Sequence, residues 1–204
     1  MNKLVIASNN PGKLREISAI LAPLAMEVVP QGSLGVSAAE EPYGTFIENA
    51  LTKARHASRV TGLPALADDS GVCVHALGGE PGVHSARYAE TTGAAPRDDQ
   101  DRRNNDKLLQ ALANVSDRRA HYYCVIVLVR RADDPQPLIA EAEWHGEILK
   151  APRGQGGFGY DPLFLLPEFG RTGAELLPEE KNRVSHRGRA LAILVERLRT
   201  LSRA

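Results

Sequence analysis

Two cysteines in 204 residues, no surplus of charge of either sign and no apolar run of membrane-spanning length set the first limits on this chain. Cys73 and Cys124 lie in separate apolar, strand-like stretches without metal-ligand spacing, which predicts packed, reduced thiols with no chemistry of their own. Lysine plus arginine equals aspartate plus glutamate at 25 each, so no chain-wide basic footprint points to nucleic acid or to an anionic membrane. A bilayer span needs about 20 apolar residues, and no stretch approaches that. The opening Met1-Asn2-Lys3-Leu4-Val5-Ile6-Ala7 is too short for the apolar core of a signal peptide, so the expected location is cytoplasmic. Repeats, low-complexity tracts and dividing linkers are also missing, which predicts a single domain over 1–204. At 43% hydrophobic residues a chain of this length buries about 70% of its unfolded surface.

What is present is concentrated in five segments. Leu66-Ala67-Asp68-Asp69-Ser70-Gly71-Val72 sets two adjacent carboxylates at the end of an apolar run, where a turn is expected. Successive strand residues face opposite ways, so one acid can face a ligand while its neighbour supports it from behind. A hard metal ion, an activated water and a plain solvated Asp-Asp-Ser-Gly turn all fit this motif. Lys3–Ala7 reads as a buried strand, followed by Ser8-Asn9-Asn10-Pro11-Gly12-Lys13 and an amphipathic helix. Asn10 suits the N-cap and Pro11 the first helical position, so free backbone N–H groups and Lys13 would make an anion site. An ordinary capped helix is the alternative, because neither the Walker nor the dinucleotide glycine pattern is there.

Thr45 and Glu48 have capping-box spacing ahead of Phe46, Ala50, Ala54 and Ala57, which predicts a helix from about Thr45 to Val60. Lys53 falls at the margin of its apolar stripe, and surface placement is expected for most of the helix's charges. Glu40 or Glu41, just before it, could bring a third carboxylate to Asp68 and Asp69, enough for one magnesium ion that keeps several waters. Gly154-Gln155-Gly156-Gly157-Phe158-Gly159-Tyr160-Asp161-Pro162 reads as a flexible loop or a stacking platform for a flat ligand. Glu179 to Gly188 leads into a last helix with Ser185 as N-cap. His186 and Arg187 then occupy a first turn whose dipole they oppose, which hints at an anionic or carbonyl-bearing ligand. Among the histidines only His186 has a motif behind it; His56, His75, His84, His121 and His145 are expected to be structural or surface groups.

In this order the segments, with Gly78-Gly79-Glu80-Pro81-Gly82-Val83-His84-Ser85-Ala86-Arg87-Tyr88, resemble the inosine triphosphate pyrophosphatase family in its bacterial dITP/XTP pyrophosphatase branch, the Ham-one type. The resemblance runs from about Lys3 to Leu201. Asn9 stands where a smaller residue is common, and Thr91 to Arg103 looks variable in length. The resemblance implies an α/β fold with an elongated mixed sheet flanked by helices, in two lobes around a central cleft. It also implies a homodimer, and hydrolysis of dITP, ITP and XTP to the monophosphate and pyrophosphate. Asp69 would be the general base; Glu41 and Asp69, with Asp68 as a further candidate, would hold magnesium. Ser8, Asn9, Asn10, Pro11, Gly12, Lys13, Lys53 and Ser70 would cradle the triphosphate. Phe158, Gly159, Tyr160, Asp161, Lys181, His186 and Arg187 would bind base and sugar.

Physical chemistry is compatible with those roles. Helix-start amides, two lysines and a dication offset a triphosphate's charge. Purine C6 carries a keto oxygen in inosine and xanthine and an amino group in adenine, so a donor such as Arg187 meets an acceptor in the first two and a second donor in the third. An unpaired buried donor costs about 1–3 kcal/mol, roughly a factor of 5 to 150. A related Maf-type nucleotide pyrophosphatase and a nucleotide-binding module without turnover are the competing functional readings. For architecture, strand-like runs at Lys3–Ala7, Met26–Pro30 and Leu63–Ala67 alternate with helices and predict parallel crossovers. His121–Arg131 and Leu138–Ile148 predict an antiparallel hairpin around 132–137. Arg97 to Lys107 reads as a solvated helix start.

Overall fold

Alternating apolar runs and capped amphipathic helices give this chain a mixed sheet with helices against it. The computed structural model describes residues 3–24, 26–89 and 96–201. The part of the length-variable stretch at 91–95 therefore lies outside the described residues. Seven strands among them are β1 (Lys3–Ile6), β2 (Glu27–Pro30), β3 (Ala65–Val74), β4 (Arg119–Val129), β5 (Leu138–Ile148), β6 (Phe164–Leu166) and β7 (Arg171–Thr172), in the sheet order β2-β1-β3-β4-β5-β6-β7. Five α-helices are α1 (Pro11–Leu21), α2 (Phe46–Thr61), α3 (Arg97–Ala111), α4 (Pro178–Val184) and α5 (His186–Leu201). By contact density the chain divides into two units. One holds the residues up to Asp69, Cys124–Ala142 and those from Asn182 on; the other holds Ser70–Tyr123 and Glu143–Lys181.

In the first unit β1 pairs parallel with both β2 and β3, as the alternating strand and helix runs predict. Strand alternation sorts the side chains. Leu4, Ile6 and Leu66 share a buried cluster with Ile17 and Leu21 of α1, Leu191 and Leu194 of α5, and Cys124, Ile126 and Leu128 of β4. Each such Leu or Ile contributes about 1.5–3 kcal/mol through burial. Both capping expectations hold: Asn10 Oδ1 accepts from Gly12 N at 2.9 Å, and Thr45 Oγ1 accepts from Glu48 N at 3.3 Å. Helix α2 stops at Gly62, whose φ of 68° lies in the left-handed region that glycine tolerates best.

One local expectation fails. The chain does not turn at Asp68-Asp69-Ser70-Gly71; β3 runs straight through to Val74. The acids do not break the strand because basic side chains meet both of them, as described below. Gly71 is required for a different reason. A Cβ there would lie 2.2 Å from the carbonyl oxygen of Gly82 and 2.5 Å from Ser85 Oγ, which itself accepts from Val72 N at 3.0 Å. Gly71→Ala is therefore expected to destabilise by about 1–3 kcal/mol through overpacking, read as a lower urea midpoint at unchanged slope.

The second unit is organised around Tyr122, Trp144 and Phe164. The Tyr122 and Phe164 rings meet edge-on at 4.7 Å, and the Trp144 and Phe164 centroids are 5.3 Å apart. Strands β6 and β7, too short to stand out in the sequence, extend the sheet antiparallel from β5. Strands β4 and β5 are neighbours joined through 130–137, a connection too short for a parallel crossover, in keeping with the expected hairpin. Both cysteines are free thiols, and burial pushes Cys73 up to about 11 and Cys124 up to about 12, as packed, unreactive groups.

Candidate active site

Asp68 and Asp69 are adjacent letters with separate partners. Because β3 continues through them, their side chains leave opposite faces of the strand. Asp68 turns toward α1 and α5, where Lys13 Nζ lies 2.9 Å from its Oδ2 and Arg187 donates to the same oxygen from Nε at 3.2 Å and Nη2 at 3.1 Å. The remaining side of that guanidinium meets Glu16 of α1 through Nη1. Asp69 turns toward α2. Lys53 Nζ donates to its Oδ1 at 3.0 Å, Asn49 Nδ2 donates to Oδ2 at 3.4 Å, and the same ammonium is 3.4 Å from Glu41 Oε2. All of these belong to the first unit.

Burial and pairing divide the two acids electrostatically. For Asp68 burial opposes the charge, but Lys13, Arg187 and Lys53 outweigh it and hold the carboxyl far below the usual carboxylate range. For Asp69 burial wins: with Glu41 adding repulsion, it lifts the carboxyl above its ordinary value despite Lys53 and Lys13. Lys53 is itself desolvated, yet Asp69, Glu41 and Asp68 raise it and keep it charged. The pair thus holds one acid kept ionised by its basic partners and one whose charged form burial disfavours.

The loop before α1 differs from its expectation. Amides of Ser8, Asn10, Gly12 and Lys13 donate within the protein, to Ile6 O, Ser8 Oγ and, for the last two, Asn10 Oδ1. Asn10 satisfies the helix start so well that the positive element left is the Lys13 ammonium and not a row of free amides. Asn9 lies against Gly32, where a Cβ would come 3.2 Å from its Oδ1, and Pro11 opens the helix. Glu41 is half-buried and tied to Lys53, whereas Glu40 is exposed, which separates two acids that the sequence leaves equal. Ser185 caps α5, its Oγ accepting from Gly188 N at 3.2 Å. His186 and Arg187 follow, both buried. Arg187, which the resemblance assigns to the purine base, is packed at 2% exposure with its Nε, Nη1 and Nη2 turned to Asp68 and Glu16.

In the second unit the glycine-rich segment is tied to its surroundings by hydrogen bonds. Asp161, buried, accepts from Phe158 N at 2.9 Å and from Lys181 Nζ at 2.5 Å, and that ammonium lies 4.6 Å from the Phe158 ring centroid. Gly157 has a φ of 72° and would put a Cβ 2.2 Å from Asp161 Oδ2, so the carboxylate occupies the space glycine leaves. Gly159 donates to Asp101 at 2.8 Å and accepts from Asn105 Nδ2 at 3.0 Å, both on α3. Tyr160 departs from the stacking expectation: it is buried, and its hydroxyl donates to Ser85 O at 2.9 Å. Phe158 is half-buried, with the Lys181 ammonium over its ring. Ser70 is half-buried on β3.

Several functional neighbours were missed in the sequence. Glu16 falls three residues after Lys13 and Asn49 four before Lys53, the spacings that put helical side chains on one face, so both were within reach of pattern reading. Asp101 and Asn105 gave no such signal, because their partner is 54 or more residues away.

Comparison with known proteins gives these residues their context. The model of the Ham1 family matches residues 4–197. A dITP/XTP pyrophosphatase of Ralstonia nicotianae is 64% identical over 204 residues, covering 100% of both chains. One from Nitrosomonas europaea is 67% identical over 97% of this chain and 95% of its own. Among solved structures, a HAM1 protein from Coxiella burnetii aligns over 100% of both chains at 47% identity with a TM-score of 0.87. The Staphylococcus aureus Ham1 protein aligns over 98% of this chain and 99% of its own at 37% identity and a TM-score of 0.83.

Proposed function

The chain belongs to the Ham1 family, and we propose that it hydrolyses non-canonical purine nucleoside triphosphates such as dITP, ITP and XTP to the nucleoside monophosphate and pyrophosphate. Its role is then to clear them from the nucleotide pool before they enter DNA or RNA. The observation that carries the chemistry is the division of labour between Asp68 and Asp69. Asp69, raised by burial, takes the proton as a water oxygen attacks phosphorus; the phosphoanhydride bond between the α and β phosphates breaks, and pyrophosphate leaves. Lys53, charged and 3.0 Å from Asp69, and Lys13, on the opposite face of β3, supply fixed positive charge for the phosphates. Asp68 is the anchor that orders Lys13 and Arg187.

Magnesium fits the donor set. Among the described residues no three His, Cys, Asp or Glu side chains gather as a metal cage. Glu41 and Asp69 nevertheless converge on one cationic nitrogen, and two carboxylates are what magnesium takes when phosphates and water complete its shell. Bound there, the ion would neutralise phosphate charge and polarise the anhydride. Phe158 offers a face for the purine and Lys181 a donor. Family resemblance supports a single domain that works as a homodimer in the cytoplasm. No described helix is long and apolar enough to cross a membrane.

The test is release of pyrophosphate and orthophosphate by the purified protein with magnesium, comparing dITP and XTP with dATP and dGTP. Pyrophosphate confined largely to dITP and XTP is expected. Ligand binding without release, or release of orthophosphate alone, would refute the reading.

A further inference from the structure

Helix α3 reads in the sequence as a solvated helix start, yet four of its polar side chains hold other parts of the second unit. Gln100 Nε2 donates to Ala89 O at 3.0 Å, and the buried Asn104 donates from Nδ2 to Ser85 O and Ala86 O at 3.2 Å each. Asp101 and Asn105, one turn apart, take both polar groups of a single residue in the glycine-rich segment. The Gly159 N–H donates to Asp101 Oδ2 at 2.8 Å, and the Gly159 carbonyl accepts from Asn105 Nδ2 at 3.0 Å. A neighbouring strand would offer the same donor and acceptor, so α3 does with side chains what a sheet does with backbone.

The residue held in this way is next to Phe158. That ring stands between Gly157, at a φ of 72°, and Gly159, at a φ of 63°, both in the left-handed region that glycine enters as readily as any other. Left to itself such a segment would present its ring in many orientations. Asp161 fixes one side, accepting from Phe158 N at 2.9 Å, and α3 fixes the other. Tyr160, the next residue, is buried and donates to Ser85 O, the same carbonyl that Asn104 holds. Phe158 is left half-buried, with Lys181 Nζ 4.6 Å from its ring centroid.

We propose that Asp101 and Asn105 are positioning residues for purine binding: by clamping Gly159 they hold the Phe158 ring in the orientation in which a purine stacks on it. The proposal rests on the reading of Phe158 as the purine's partner. Both side chains act through the backbone beside the ring and neither needs to touch the nucleotide. A loosened ring has to be ordered when the purine arrives, which costs affinity by a factor of about 3 to 10. Stacking on the purine, remote from the reacting phosphorus, is alike in the ground state and the transition state, so the loss falls on KM and spares kcat.

Calorimetric titration with deoxyinosine monophosphate (dIMP), beside dITP kinetics with magnesium, tests the clamp. Asp101→Ala and Asn105→Ala are each expected to weaken dIMP binding about 3- to 10-fold and to raise KM for dITP by a similar factor, with kcat changed by less than about twofold. Asp101→Asn keeps an oxygen for the Gly159 N–H and should bind dIMP as the wild type does, because its lost pairing with the half-exposed Arg97 at 3.5 Å matters little. In a Phe158→Ala background there is no ring to position, and Asp101→Ala should add nothing to the loss. Asn105→Ala, at a half-buried position, carries the test if Asp101→Ala misfolds. Folded alanine variants with unchanged dIMP affinity, or the same added loss with and without the Phe158 ring, would overturn the clamp. Wild-type protein that binds dIMP and releases no pyrophosphate from dITP would overturn the activity alone, whereas no dIMP binding by the wild type would overturn the purine site and the clamp together.

Discussion

Replacing Asp69 by asparagine is expected to cut pyrophosphate release from dITP by a factor of about 10²–10⁴, the range a positioned general base contributes. The amide matches the carboxylate in size and still offers an oxygen to Lys53 Nζ, now 3.0 Å from Oδ1. The fold should therefore survive, and removing one of two acids that repel each other offsets part of the lost ion pair. Circular dichroism with a thermal melt checks the first point, and turnover at saturating magnesium the second. Because burial raises the Asp69 carboxyl, the wild-type rate should fall as the pH drops through that raised value, since the base must be unprotonated to act. Magnesium beside it pulls the same limb back toward acid, so the limb should move with magnesium concentration. Turnover near wild type in Asp69→Asn would remove it from the chemistry.

Arg187→Ala is expected to act on stability before specificity. It strips the guanidinium from Asp68, which is buried, and from Glu16. Breaking a buried ion pair by removing one partner costs about 3–5 kcal/mol. At about 2–4 °C per kcal/mol for a chain of this size, the melting temperature should drop by roughly 6–20 °C. Adding Asp68→Asn should restore part of the loss, because the acid left behind is the larger part of the cost. With its donors turned to carboxylates, Arg187 is expected to leave selectivity to other groups, and the folded fraction should keep its preference for dITP over dATP. A melt within a degree or two of wild type, or a collapsed preference in folded protein, would count against this assignment.

What could be read from the chain depended on the range of the interaction. Asn10-Pro11 and Thr45-Phe46-Ile47-Glu48 announce helices because cap and helix lie within four residues, and both form where expected. The parallel strands were visible through their apolar runs. The turn expected at Asp68-Asp69 failed because its reversal is set by Lys13, Lys53 and Arg187, which lie up to 119 residues away in the chain. Tyr160 went the same way: a tyrosine among glycines suggests an open platform until Ser85, 75 residues distant, accepts its hydroxyl. The contacts of the glycine-rich loop were hidden for a related reason, since Asp161 fills the space at Gly157 and Asp101 of α3 accepts from Gly159. The acids were legible as a site; which basic group each would meet was not.

Strand β3 also acts as a checkpoint on its own assembly. Since consecutive side chains alternate, a slip of one position would carry Asp68 to the α2 side and Asp69 to the α1 and α5 side, and would drive Leu66 out of the apolar cluster. Lys13 and Arg187 would then lose Asp68 together, at the same step in which the core loses a leucine. The charges that serve the nucleotide thereby also reject the misaligned strand, so the chain cannot complete its fold with the reactive carboxylate on the wrong side.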